Sequence, residues 1–223
     1  MKIDMHCHSY YSNDGISSPK ALLIAAKKKG LNGIALTDHN TVKGWREAQE
    51  TADKIGLILI PGEEIKIKEN NETIGEILAY FINKEINPQG KSIEDIIKEI
   101  KDQNGIAIIA HPYHWKKPFK KLEEYKNIVD GIEVFNSRSQ SKKGNTDSLL
   151  FAEKNNLIMT AGSDSHTIAE IGSSYIETEA ETINDFKKEI LGKRIKIFRK
   201  QTPFLMQISS PIAKILHLLG KPK

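Results

Sequence analysis

One cysteine, Cys7, occurs in 223 residues. An internal disulfide is therefore impossible, and a reducing compartment is the simpler expectation. Aromatic residues make up only 7% of the chain. That leaves little material for the stacking tracks of single-strand nucleic-acid binders. No apolar run approaches the roughly 20 residues that a bilayer crossing needs. The first residues read as a strand and not as a leader peptide, so a cytoplasmic protein without a membrane partner is expected. Neither sign of charge dominates: 33 Lys and Arg face 29 Asp and Glu, a net charge of +4. This suits an anionic small substrate or a solvated surface and is too weak to argue for duplex nucleic acid. No Gly-rich phosphate-binding loop follows the first strand, which sets a dinucleotide-binding fold aside. Internal repeats and low-complexity linkers are missing too.

What is present is a steady alternation of strand-like and helix-like segments. Strands are expected at 2–8, 34–36, 57–60, 65–67, 74–81, 106–110, 131–135, 157–161 and 195–198. Helices are expected at 18–30, opened by Ser17-Ser18-Pro19 and closed by Gly30, and at 43–55, 92–103, 145–155 and 182–191. Asn70-Asn71 signals a turn between two strands. Repeated strand–helix units imply an α/β fold with a parallel sheet. Six or more such units with polar residues at the strand C-ends favour a TIM-like barrel whose active site lies on that face, over an open doubly wound sheet. The core domain is placed at 1–200. An amphipathic helical tail at 201–223 is expected to cover the barrel or to pack in a homo-oligomer.

Residues able to bind metal recur where apolar runs break. His6 and His8 stand two apart on a strand and so share a face. Thr37-Asp38-His39, Gly62-Glu63-Glu64, His111-Pro112 and Gly162-Ser163-Asp164-Ser165-His166 each follow an apolar segment. A lone histidine near a strand end is more often structural than a ligand; the joint pattern overturns that reading. Cys7 falls on the opposite face and is read as core. Asp38 is read as an orienter of its neighbours, Glu63 as facing outward because it alternates with Glu64, and His217 as structural. His114 and Trp115 either line the pocket or cap a loop.

These motifs, with Tyr11-Ser12-Asn13-Asp14-Gly15 and Gly131-Ile132-Glu133-Val134-Phe135-Asn136, together resemble the PHP (polymerase and histidinol phosphatase) family of metal-dependent phosphoesterases, from Met1 to about residue 200. The resemblance implies a distorted barrel of seven parallel strands and two or three divalent ions. The first ion would take His6, His8, Glu64 and Asp164. The second would share Glu64 and add His111, and the third would take Asp14, His39 and His166. Histidine mixed with carboxylate suits manganese, zinc or iron. Many members carry a histidine where Glu76 stands here. Glu76 is then either a ligand, favouring manganese or iron, or a solvated strand residue. Arg138 is the candidate phosphate grip and Asn136 a further donor to substrate.

The function implied is hydrolysis of a small phosphate monoester, of a metabolite or a nucleotide, by a metal-bound hydroxide. Asp14 or His166 would assist proton transfer. The chain leaves little room for the large insertion that some nucleotide-specific relatives carry. An exonuclease acting on short DNA or RNA is the alternative, and a non-catalytic metal-stabilised scaffold is the third reading.

Overall fold

The computed structural model describes residues 1–70, 72–115, 118–139 and 141–219. In chain order the elements are β1 (Lys2–Cys7), α1 (Pro19–Lys28), β2 (Gly33–Leu36), α2 (Trp45–Ile55), β3 (Ile58–Glu69), β4 (Glu72–Tyr80), α3 (Ile93–Asp102), β5 (Ile106–Ile109), α4 (Leu122–Tyr125), β6 (Gly131–Asn136), α5 (Lys142–Lys154), β7 (Ile158–Gly162), β8 (Ser174–Glu177), α6 (Ile183–Leu191), β9 (Lys196–Arg199) and α7 (Ser209–Leu218), with a 3-10 turn at Phe204–Ile208 before α7. Local chemistry sets the helix starts. Ser18 accepts from Ala21 N with Pro19 at the first helical position. Ser92 and Asp95 cap each other at α3, and Thr182 accepts from Asp185 N at α6. Each side chain satisfies an amide that the helix leaves without a partner. The α2 helix stops at Gly56, whose φ of 66° is the left-handed conformation that glycine adopts without strain.

The strands form one curved, nearly closed sheet in the order β7-β6-β5-β4-β3-β2-β1-β8-β9. The β1–β2, β2–β3, β5–β6 and β6–β7 pairs are parallel. The fold is the expected α/β barrel-like sheet with strands mostly parallel, but two strands run backwards. The β4 strand is antiparallel to both β3 and β5, and β8 is antiparallel to β1 and β9. A parallel neighbour needs a crossover of a dozen or more residues. Only Asn70 and Asn71 separate β3 from β4, so the chain can do nothing but fold back. Asn70 takes the left-handed φ of 47°; Asn71 lies outside the described residues. The strand expected at 57–60 continues through Pro61 and joins the one expected at 65–67 as β3. Proline has no N–H to give, and its carbonyl still accepts from Phe81 N at 2.8 Å.

The barrel closes where the segment after β7 reaches β1. Ser163 N donates to Asp4 Oδ1 at 2.8 Å, and His8 N donates to Ser165 O at 2.8 Å. Gly162 lies at this seam. A Cβ there would sit 2.3 Å from His6 Cβ and 2.6 Å from His6 N, so no larger residue fits without moving the ligand-bearing strand. Inside the curve, Ile3, Met5, Ala35, Ile60, Tyr80 and Ile108 pack as one apolar layer. Cys7, Ile34 and Leu36 pack in another, against α1 and α2. Ile3 and Met5 thus face one layer and Cys7 the other. The alternation of β1 slips by one residue at the register shift between Asp4 and Cys7. A bulge of this kind re-aims side chains. Here it turns His6 and His8 into the mouth of the barrel while Cys7 goes to the core.

Candidate metal centre

Five strands that run toward the mouth, or the segments that follow them, supply a group. His6 comes from β1; His8 and Asp14 come from the segment after it. His39 follows β2, Glu64 is on β3, His111 follows β5, and Asp164 and His166 follow β7. The reversed β4 adds Glu76. The chain has seven histidines, and five of them meet here. Ring centroids lie 4.5 Å apart for His8 and His166, 4.7 Å for His8 and His39, and 5.0 Å for His6 and His8.

Three contact groups emerge. His6 Nε2 and His8 Nε2 are 3.4 and 3.2 Å from Glu64 Oε2, and 3.7 and 3.3 Å from Asp164 Oδ1. His111 Nε2 is 3.2 Å from Glu64 Oε1 and 3.3 Å from Glu76 Oε2. His39 Nε2 and His166 Nε2 each lie 3.4 Å from an oxygen of Asp14. The residues of the three ligand sets that the family resemblance implies are therefore brought together in space. Glu76 is buried and aimed inward, not a solvated strand residue, and it clusters with His39 and Glu64. His8 also reaches the cluster of Asp14, His39 and His166. His111 and Asp164 are held at φ of 27° and 52°, values that non-glycine residues seldom adopt and that constrained sites impose.

For His6, His8 and His166, hydrogen bonds fix which ring nitrogen faces the mouth. His166 Nδ1 lies 2.8 Å from the carbonyl of Asp164, which can only accept, so in the neutral ring the proton sits on Nδ1. His6 Nδ1 lies 3.0 Å from Glu133 Oε1. Ser12 Oγ donates to Asp38 Oδ1 at 3.0 Å and so accepts from His8 Nδ1 at 3.1 Å. All three rings then present an Nε2 lone pair inward, the form that binds a cation. Asp14 Oδ1, Glu76 Oε1 and His39 Nδ1 are buried with no hydrogen-bond partner. Buried polar atoms without partners are costly, and divalent ions would satisfy this donor set.

Without ions the groups share protons. Burial works against a charged His39, but Glu64 and Asp14 outweigh it and raise its pKa to about 10. His111 is raised in the same way, to about 9, chiefly by Glu64 against the cost of burial. His166 is lowered to about 4 by burial and by the neighbouring His8. Burial opposes ionisation of Asp14, yet His166 and His39 hold its carboxyl well below the usual range. The sign of the consequence follows. The folded pKa values of His39 and His111 lie above the unfolded value of about 6.5. Their stabilisation is therefore complete below about pH 6.5 and is lost as pH rises through 9 and 10. His166 acts oppositely, costing stability as pH falls from about 6.5 toward 4, and the depressed carboxylates of Asp14, Glu64 and Asp164 lose theirs only as pH falls below about 4. The chelator-treated protein is expected to show its highest Tm near pH 6–7, and metal binding at pH 7 is expected to release protons. Calorimetry in two buffers of different ionisation enthalpy checks this; equal apparent enthalpies in both would overturn it.

Other expected residues are placed as follows. Asp38 is buried and accepts from Ser9 N, Ser9 Oγ and Ser12 Oγ at 2.6, 2.7 and 3.0 Å, as an orienter should. Asn136 spends its amide inside the cluster: Nδ2 donates to Glu133 Oε2 at 3.0 Å and to Asp164 Oδ2 at 3.3 Å. It orients carboxylates and is not aimed at a substrate. Arg138 is in the pocket wall, its guanidinium held by Glu170 at 3.3 Å, Ser210 Oγ at 2.8 Å and Gln207 O at 3.2 Å. Glu63 points away from the cluster but is fully buried; it accepts from Ile86 N at 2.9 Å, and burial raises its pKa to about 8. Cys7 is core, and His114 lines the pocket. Sequence reasoning missed Glu133. A carboxylate inside the otherwise apolar run Gly131–Phe135 was the signal that could have found it.

Comparison with known proteins speaks to the family and to the fold. The family model described as PHP domain matches residues 4–204. MJ0417 of Methanocaldococcus jannaschii is 32% identical over 223 residues, covering 96% of this chain and 86% of its own length. MJ1587 of the same organism is 37% identical over 150 residues, 61% of this chain and 82% of its own. A 5'-3' exoribonuclease of Haemophilus influenzae is 47% identical over 64 residues, but these are 29% of this chain and 23% of that enzyme. Among solved structures, a two-domain Bacteroides vulgatus protein described as containing a PHP-like metal-dependent phosphoesterase aligns with a TM-score of 0.73 at 22% identity, over 90% of this chain and 65% of that one. A Chromobacterium violaceum amidohydrolase with bound SO4 aligns with a TM-score of 0.67 at 20% identity, over 89% and 98%. At those identities the structures speak for the fold alone.

Proposed function

The chain belongs to the PHP domain family of metal-dependent phosphoesterases, and on that footing we propose that it hydrolyses a small phosphate monoester of a metabolite or nucleotide. One observation carries the reading. Asp14, His39, Glu64, Glu76, His111 and His166 form part of the wall of a pocket of about 320 Å³ that Arg138 also borders. Carboxylates and imidazoles suit divalent ions, and a pocket with cationic side chains in its wall suits the phosphate. His6, His8, Glu64 and Asp164 would hold one ion, Glu64, Glu76 and His111 a second, and Asp14, His39 and His166 a third. Manganese, zinc and iron all match this donor set. When bound, such ions neutralise phosphoryl charge and acidify water. The chain itself supplies Glu64 as a carboxylate common to two groups, and Glu133 and Ser12 to hold His6 and His8 in the binding tautomer. The depressed carboxyl of Asp14 and the His166 pKa of about 4 suit these two as ligands or proton acceptors.

The test is manganese-supplemented activity on a panel of phosphorylated metabolites and short oligonucleotides, with His8→Ala as the blank. Turnover of a monoester, lost in the variant, supports the proposal. The stretch shared with the exoribonuclease motivates the second arm: release of mononucleotides from oligomers without action on metabolites would move the function to exonuclease. Metal bound with no turnover of either would favour a scaffold.

A further inference from the structure

The family match stops at residue 204, but the wall of the pocket does not. Phe204, Gln207, Ile208, Ser210, Pro211 and Lys214 complete it. This C-terminal strap is tied down by bonds to the segment after β6. Thr202 N donates to Ser137 O at 2.8 Å, Gln201 Nε2 to Ser139 O at 2.7 Å, and Gln207 Nε2 to Arg138 O at 2.6 Å. Arg138 answers through Ser210, and Ala213 of α7 is fully buried. Held this way, α7 turns Lys214 onto the cluster of candidate ligands, with Nζ 3.9 Å from Asp14 Oδ2. Among the described residues that is the ammonium's one ion-pair contact, and it is too long for a hydrogen bond.

The charges around the pocket make this lysine informative. The guanidinium of Arg138 is already met by the Glu170 carboxylate and by the strap, so much of its donor capacity holds the wall together. Lys214 is half-exposed, on a flexible stem with three donors. An ion pair this long and this exposed contributes little to folding. We infer that Lys214 is the cation that recognises the substrate's phosphate, delivered by a strap that Arg138 anchors. The inference rests on the phosphomonoester reading for the identity of the anion.

The experiment compares wild type, Lys214→Ala and Lys214→Arg. Binding of inorganic phosphate to the manganese-loaded protein is measured by calorimetry, and KM and kcat on any monoester turned over by wild type are measured alongside. Lys214→Ala is expected to weaken phosphate binding about tenfold and to raise KM by a similar factor, with kcat within about threefold; Lys214→Arg is expected to recover most of both. Equal phosphate affinity in wild type and Lys214→Ala, or no measurable binding by wild type, overturns the inference. Absence of monoester turnover in wild type would defeat the phosphatase proposal alone, because the phosphate titration still decides the role of Lys214.

Discussion

Glu64→Ala is expected to lower kcat/KM for a phosphate ester by at least about 10³-fold, with no recovery at saturating metal. The two oxygens of Glu64 reach four of the five clustered histidines. Oε2 lies 3.4, 3.2 and 3.0 Å from ring nitrogens of His6, His8 and His39, and Oε1 lies 3.2 Å from His111 Nε2. Each oxygen thus serves a different contact group, as a carboxylate shared by two ions must. Alanine removes both oxygens and leaves four buried imidazoles around an empty volume, with only Asp164, Glu76 and Asp14 at its edges to face them. Two ions held there would also lose the charge that lets them approach each other. Metal content measured by atomic emission is expected to fall by at least one equivalent. Glu64→Gln keeps the volume and removes the charge, so it separates electrostatics from packing and should lose nearly as much activity. Wild-type turnover and metal content in either variant would remove the bridging role.

The histidine pair was legible because a strand's two-residue period is simple: His6 and His8 must share a face whatever the rest of the chain does. Which face they share was not legible. Counting from Ile3 and Met5, strict alternation sends His6 away from the barrel mouth, and only the slip between Asp4 and Cys7 brings it back. Pairing register is a property of two strands, and one strand's residues do not state it. The same limit explains Glu63. Alternation with Glu64 correctly turned it away from the site, but that side of β3 is covered by the segment around Ile86, a tertiary contact invisible to a local pattern. The β8 strand was missed because four residues, Ser174–Glu177, carry too short a pattern to distinguish from a loop. The direction of β4 was written in the two-residue link that precedes it, yet the count of strand–helix units drew the reading toward a purely parallel barrel. For the tail, an amphipathic pattern allowed either a cover or an oligomer contact; the bonds from Gln207 and Ser210 to Arg138 lay the strap beside the pocket.

Glu133 offers a loss of another kind, reversible by excess metal. Glu133→Gln is expected to weaken metal binding about 10–100-fold, the cost typical of removing a group that orients a ligand. The wild-type carboxylate accepts on both sides: Oε1 faces His6 Nδ1 at 3.0 Å, while Oε2 takes His111 N and Asn136 Nδ2, each at 3.0 Å. Glutamine can satisfy only one side. If its carbonyl faces His6, its NH₂ meets two further donors that are left without an acceptor. If its NH₂ faces His6, the ring must accept at Nδ1 and carry its proton on Nε2, which then points an N–H at the position an ion needs. Either way the cost falls on His6 and His111 together, although Glu133 binds no ion itself. Because the ligands remain, saturating manganese should restore kcat to within about threefold of wild type, whereas Glu64→Ala should stay inactive at any metal concentration. A metal titration of kcat across both variants reads this difference directly. If Glu133→Gln bound metal with wild-type affinity, the tautomer of His6 would not be set by this carboxylate, and the inward lone pair would need another source.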